Sequence, residues 1–225
     1  MNRYFKFLIW PIAAAPLLYL AANWSRLPQT IAMHFDLEGN PDRYGDKKEL
    51  LIMTIVLSAM SAGIYFLLSN IYRIDPKKAA ADNKDRLKRM GFILGVFMSA
   101  ITCFIIYSSV KGGFEGSTKY VFAAIGILYA ILGNYMHTIK PNYFAGFRLP
   151  WTLNSEDNWK KTHLLGGKLW FVGGLVIAIV CLALPNAVSS IAFFILTAIM
   201  VFIPIIYSFR LYQVEKMAKG ETKRN

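Results

Sequence analysis

The chain has 225 residues, of which 56% are hydrophobic and only 17% charged, against the roughly 25% charge usual in globular proteins. Its 25 Lys and Arg outnumber 13 Asp and Glu, for a net charge of +12, and its mean hydropathy is +0.41. These values argue against a disordered chain, a collagen-like repeat or a disulfide scaffold. They also weaken a nucleic-acid reading, which needs basic charge spread over a folded soluble face.

Uncharged runs set the elements, because a bilayer core takes about 20 apolar residues in helix. The run from Phe7 to Ser25 predicts a first membrane span over 5–23. Its apolar stretch is longer than the roughly 7–15 residues of a secretory signal core and no clear small-x-small site follows, so it is read as a span.

The loop at 24–49 has more content than a connector needs. Ile31, Met33, Phe35 and Leu37 alternate with Thr30, Ala32, His34 and Asp36, a period of two that predicts a short half-buried strand. Glu38-Gly39-Asn40-Pro41 predicts a turn. Asp42-Arg43-Tyr44-Gly45 then leads to Asp46-Lys47-Lys48-Glu49, where Asp46 is expected to cap the second span and Glu49 to reach back to the cap. His34, Asp36, Asp42 and Asp46 are adequate in kind for a divalent metal. Their spacing matches no metal signature, and a loop held by hydrogen bonds of His34, Asp42 and Arg43 is the better reading. Neither a metal nor another cofactor is expected.

The second span is expected at 50–72, followed by a basic loop, 73–89, that serves as topology determinant and contact for anionic lipid. Spans at 90–110 and 120–139 come next. Cys103 and Cys181 fall inside spans and read as small packing residues.

The segment 140–165 is expected to lie in the interface, with Tyr143, Phe144, Phe147 and Trp151 at headgroup level. Gly146 permits an unusual backbone angle and Pro150 blocks helix continuation. Asn154 or Ser155 caps a new helix, with Glu156 and Asp157 favourably placed in its first turn. On that helix Trp159, His163, Gly166, Trp170 and Gly173 share one face. The plain reading is a packing seam. A sharper one sets Arg148, Trp151, Trp159 and His163 around a pocket for an anionic or peptide ligand. The 41-residue run from Leu169 to Phe209 is split by Pro185-Asn186, giving spans at 165–184 and 188–209.

The fold expected is therefore an all-α membrane protein of six transmembrane helices. Nineteen basic residues fall at the two termini, in 73–89 and in 140–168, against six on the other side. Because Lys and Arg are retained inside, both termini and the 140–165 segment should be cytoplasmic and the 24–49 loop should face out. Three units are expected: 1–72 with its outer loop, the 73–89 loop, and a four-helix unit at 90–225.

Catalytic patterns are scarce: there is no serine elbow, H-E-x-x-H, P-loop or dinucleotide fingerprint. The notable polar groups within the spans are Asn70, Asn134 and His137, none a carboxylate, which disfavours a proton-coupled transporter.

Two stretches resemble a known family. The C-terminal one carries Gly133-Asn134, Asn142, Gly146-x-Arg148-x-Pro150-Trp151-Thr152-Leu153, Trp159, His163 and Gly166-Gly167, and is similar to the SdpI family of bacterial integral membrane proteins. The N-terminal one carries Leu27-Pro28, His34-Phe35, Gly39-x-Pro41-Asp42-Arg43-Tyr44-Gly45 and Lys47, and resembles a domain of unknown function that opens many members. Leu149 and Leu164 depart from the pattern, at positions where a small polar and a basic residue are usual. The resemblance implies a non-enzymatic protein of the bacterial plasma membrane. The role it implies is immunity to a secreted toxic peptide, coupled to signalling by holding a transcriptional repressor at the membrane. The outer motif, including Asp36, would meet the peptide, the face with Arg148, Trp151, Trp159 and His163 would recruit the soluble partner, and Gly166-Gly167 would be the hinge. Direct nucleic-acid contact is not implied. The competing reading is a small carrier or enzyme acting on an anionic or lipid-linked ligand, with His163 and Glu156 or Asp157 as its only candidate acid-base pair.

Overall fold

The computed structural model describes residues 5–36, 38, 40–112 and 118–222. Its long helices are α1 (Phe5–Asn23), α2 (Lys47–Asn70), α3 (Lys84–Val110), α4 (Thr118–Met136), α6 (Glu156–Ala183) and α7 (Asn186–Thr222), with a five-residue helix α5 (Pro150–Asn154) before α6. All six long helices are long and apolar enough to cross a membrane. Large side chains such as Ile52, Phe66 and Ile179 stand exposed along them, as lipid-facing positions must.

Several helices start ahead of the uncharged runs. α3 starts at Lys84 rather than 90, while α6 starts at Glu156, behind the cap expected at Asn154 or Ser155 and ahead of the span at 165–184. Charge limits how much of a helix sits in hydrocarbon, but Lys, Arg and Glu are good helix formers, so the helices continue past the apolar stretch. The Ser155 hydroxyl caps α6 by accepting the Asn158 N–H at 3.2 Å. The 73–89 stretch is mostly ordered turns and helix: a 3-10 turn at Lys78–Asn83 runs straight into α3. α6 also passes unbroken through Gly166-Gly167, where a hinge was expected.

Residues 24–49 form a two-stranded antiparallel hairpin, β1 (Thr30–Phe35) and β2 (Pro41–Asp46). The period-two pattern identified the first strand. The second has no apolar alternation and forms because its partner, two bulges and its pairings hold it. Asp36 Oδ1 accepts the Glu38 and Asn40 N–H groups at 2.9 and 2.8 Å, closing the turn; Leu37 and Gly39 lie outside the described residues. Ile31 and Leu27 are buried with Leu20, Leu50 and Ile106, which seats the hairpin on the ends of α1, α2 and α3.

Small residues let the helices meet, because lipid supplies no hydrophobic drive for association. α2 and α3 cross where the Ser61 hydroxyl donates to the Gly95 carbonyl at 2.8 Å and lies 3.0 Å from Ser99 Oγ. α1 packs on both. α4 and α6 cross at Gly126 and Gly133 against Gly167 and Gly174: a Cβ on Gly133 would stand 2.5 Å from the Phe171 nitrogen. α7 covers this pair through Phe122, Phe193, Ile177 and Met200. α3 thus packs mainly with α1 and α2, and α4, α6 and α7 form the second set.

Gly133→Ala is expected to lower stability by about 1–3 kcal/mol, the usual cost of overpacking. Gly63→Ala, which places its methyl in open space, should stay within about 0.5 kcal/mol. Thermal unfolding in detergent micelles measures both.

Candidate functional site

The segment 137–155 between α4 and α6 folds into a knot at the end of the bundle opposite the hairpin. Asn142, fully buried, organises its first part. Its Oδ1 accepts the Phe144 and Ala145 N–H groups at 2.9 and 2.7 Å, and its Nδ2 donates to the Lys140 and Ala145 carbonyls. Gly146 follows with φ of +99°, the left-handed region that favours glycine. A Cβ there would also overlap His163 Nε2, so both backbone angle and space require glycine.

That close approach serves a hydrogen bond. His163 Nε2 accepts the Phe147 N–H at 3.0 Å, while His163 Nδ1–H donates to the Trp159 carbonyl at 2.8 Å. This pairing specifies the Nδ1–H tautomer, since a ring with both nitrogens protonated would turn a donor toward the Phe147 N–H. Trp159 stacks on His163 with centroids 3.9 Å apart, and its Nε1 donates to the Ile139 carbonyl at 2.8 Å. The two side chains are 2% and 1% exposed. Phe147 packs edge-on to His163 and to Trp170, filling the space that Gly166 leaves open.

Pro150 starts α5 at its first position, where the missing N–H costs nothing. Thr152, fully buried, donates to the Phe147 carbonyl at 2.6 Å and accepts the Leu149 N–H at 3.0 Å. Trp151 Nε1 donates to Ser208 Oγ at 2.9 Å, and Asn158 Nδ2 donates to the Ser208 carbonyl at 2.9 Å. Ser155 donates to Glu215 at 3.0 Å. α7 is therefore tied to the knot by Trp151 and Ser155 and to the first turn of α6 by Asn158.

The residues singled out from sequence thus come together, but not around an open pocket. Trp159 and His163 are enclosed, Trp151 is half-buried against the Phe209 and Tyr212 rings, and only Arg148 of the four points outward. Arg148 Nη1 donates to the Tyr143 carbonyl at 2.9 Å. Glu156 and Asp157 are exposed, and Asp157 pairs with Lys161 at 2.6 Å rather than with His163. Sequence reasoning missed Asn83, whose buried amide brackets Lys140: its Nδ2 donates to the Lys140 carbonyl and its Oδ1 accepts the Lys140 N–H. It also missed Asp75, which accepts the Tyr143 N–H at 2.9 Å, and Lys77, which donates to the Leu153 carbonyl at 2.7 Å. Their partners lie 57 to 76 residues away, beyond any local pattern. Asn158 had a detectable signal, since Thr162 one turn on bonds to it.

The hairpin is the second candidate. His34 Nδ1 lies 2.6 Å from Asp42 Oδ1, and Arg43 pairs with Glu49. Glu49 therefore holds Arg43 instead of closing a capping box. Asp46 caps α2 as expected, accepting the Lys48 and Glu49 N–H groups at 2.7 and 3.0 Å. Gly45 leaves room for the Glu49 carboxylate, and Lys47 donates to the Trp24 carbonyl. Pro41 opposes Phe35 at the strand end. His34 and Asp42 bond to each other, Asp36 closes the turn and Asp46 caps α2, and no cluster of three or more His, Cys, Asp or Glu occurs among the described residues. Beneath the hairpin an apolar recess of about 270 Å³ is lined by Met33, Phe35, Met53, Ile101, Ile105 and Val121.

Asn142→Ala and Gly146→Ala should each speed amide hydrogen exchange at Phe144, Ala145 and Phe147. A lost buried hydrogen-bond partner costs about 1–3 kcal/mol, so local opening should rise about fivefold or more while the α4 and α6 amides keep their protection.

Two family models match the chain. The SdpI/YfhL protein family matches residues 138–208, a stretch that begins at the knot and ends on Ser208, the residue that receives Trp151 and Asn158. A domain of unknown function, DUF1648, matches residues 12–57, which include the whole hairpin. An uncharacterized protein of Archaeoglobus fulgidus is 42% identical over 50 residues, and the immunity protein SdpI of Bacillus subtilis is 38% identical over 55. These stretches cover 22% and 24% of this chain and 27% of each relative. No solved structure matches significantly. The chain has six helices long and apolar enough to cross a membrane, with a region similar to the SdpI/YfhL family around the knot and a region similar to DUF1648 around the hairpin.

Proposed function

We propose that this protein confers resistance to a secreted antimicrobial peptide at the bacterial plasma membrane, and that it signals that encounter to a soluble partner, a transcriptional repressor. The observation that carries this reading is the division of the molecule: an ordered, self-bonded hairpin over an apolar recess at one end, and the knot of the SdpI/YfhL region at the other. The named relative, an immunity protein, adds to it.

In this reading the knot and both termini lie in the cytoplasm and the hairpin outside, which the bias of basic residues supports. A membrane-active peptide is largely apolar, and the recess lined by Met33, Phe35 and Met53 offers it apolar surface beside the exposed His34, Asp42 and Arg43. On the opposite side Arg148 and Tyr143 present exposed polar and aromatic surface, the kind of anchor that a protein partner uses. A signal between the ends needs an element with two arrangements that both sites bias. α2 and α3 fit that role, since each runs from the hairpin end to the knot end.

The role so described is non-enzymatic. An acid-base reading would rest on His163, but both of its ring nitrogens are engaged by backbone groups. A carrier reading would need a polar path between α4, α6 and α7, where glycine contacts and stacked aromatics instead close the helices on one another.

Expression in a peptide-sensitive bacterium, followed by challenge with membrane-active peptides, tests this directly. The wild type should raise the inhibitory concentration of at least one peptide severalfold, and no shift with any of them would overturn the proposal. Arg148→Ala should leave protein level and melting unchanged while reducing recruitment of the soluble partner. Trp159→Ala should instead destabilise the protein by about 3–5 kcal/mol. Single cysteines at Tyr44 and Tyr143 should label from outside and inside respectively; the reverse pattern would invert the orientation.

A further inference from the structure

We propose that the knot end of the bundle holds the phosphate of one anionic phospholipid in a recess between α1, α2 and α3. The recess measures about 310 Å³. Four cations line it: Lys6 of α1, Arg73 just past α2, and Lys84 and Lys88 in the opening turns of α3. No Asp or Glu lines it, and none of the four is ion-paired with a described residue. Two of them are positioned by Tyr72: Lys84 sits 4.9 Å from its ring centre, and Arg73 Nε donates to its hydroxyl at 3.2 Å.

A second, independent observation points to a ligand. Tyr65 and Ser69 line the same recess, and the hydroxyl of each is buried without a hydrogen-bond partner among the described residues. Tyr65 is only 7% exposed. A buried hydroxyl without a partner is costly, and both can donate to an oxygen that enters the recess. Four uncompensated cations and two idle donors form a site for a phosphoryl group, which offers negative charge and several acceptor oxygens.

The source of that group follows from the remaining walls. Trp10 and Phe66 also line the recess and are 58% and 65% exposed. They belong to helices that cross the membrane, so apolar surface continues from the cationic recess toward the hydrocarbon. A phospholipid uses both parts at once, whereas free phosphate uses only the first. Basic pockets between transmembrane helices are a known form of lipid headgroup site. This goes beyond diffuse attraction of basic loops to an anionic leaflet, because it specifies a bound lipid and its contacts. It is independent of the peptide reading.

Native mass spectrometry of the full chain released from detergent tests the proposal, with phosphatidylglycerol and phosphatidylcholine supplied at equal concentration. One phosphatidylglycerol should be retained, with about tenfold preference over phosphatidylcholine. Lys84→Gln with Lys88→Gln should weaken that retention about fivefold per lysine, and Lys6→Gln should repeat the single-charge loss from a different helix. Lys216→Gln, on the far part of α7, should change nothing. Ser69→Ala keeps every charge and should weaken binding by a smaller factor. Melting of each variant without added lipid should match the wild type, which separates ligand loss from misfolding. Equal retention of both lipids, wild-type retention by the double lysine variant, or displacement of phosphatidylglycerol by millimolar inorganic phosphate would overturn the proposal.

Discussion

The Phe147 N–H donated to His163 Nε2 is the contact on which one whole end of the molecule depends. It forms only because Gly146, at φ of +99°, lets the backbone pass against the imidazole. It then places Phe147 in the space above Gly166 and brings its carbonyl to Thr152. Thr152 in turn sets the start of α5, which aims Trp151 at Ser208 of α7. One histidine acceptor therefore links the α4–α6 connection to the last helix. Deep in a membrane protein such bonds matter because an unpaired backbone group has no water to turn to.

The same constraint explains how differently the two ends are built. The knot is closed by neutral side-chain to backbone bonds among buried Asn, Thr, His and Trp, which can be satisfied fully without burying charge. The hairpin uses exposed polar pairs, His34 with Asp42 and Arg43 with Glu49. Exposed pairs of that kind contribute about 0–1 kcal/mol each, so the hairpin owes its seat chiefly to Ile31 and Leu27 buried on the helix ends. Between the two ends the helices meet through Gly and Ser. The α4–α6 contact is backbone against backbone at Gly126, Gly133, Gly167 and Gly174.

Much of the fold was legible in the chain, and the parts that were not share a cause. Five uncharged runs, the longest split by Pro185-Asn186, gave six helices because bilayer thickness dictates length directly. The start of α3 was displaced to Lys84, since an uncharged run reports burial in hydrocarbon and says nothing of where backbone hydrogen bonding begins. β1 was visible by its alternation, while β2 has no apolar alternation and exists through pairing with β1. In the knot, the unusual residue types Asn142, Gly146, Pro150, Trp159 and His163 were found by type and spacing. Their enclosure was not, because whether an aromatic at headgroup depth faces lipid or a neighbouring helix is decided by that neighbour.

What the sequence determined alone was the class of the molecule, its number of crossings, the capping of α2 by Asp46, a helix start capped by Asn154 or Ser155, and a glycine at 146 able to take an unusual backbone angle. These follow from local chemistry within a few residues, which any fold must respect. Tertiary structure decided the rest: that His163 is consumed by backbone groups, that Asn83 and Asp75 reach across to hold the 140–143 segment, and that Lys6 meets Lys84 and Lys88 around one recess. Each of those joins residues far apart in the chain, and separation of that size leaves no periodic trace for a sequence to show.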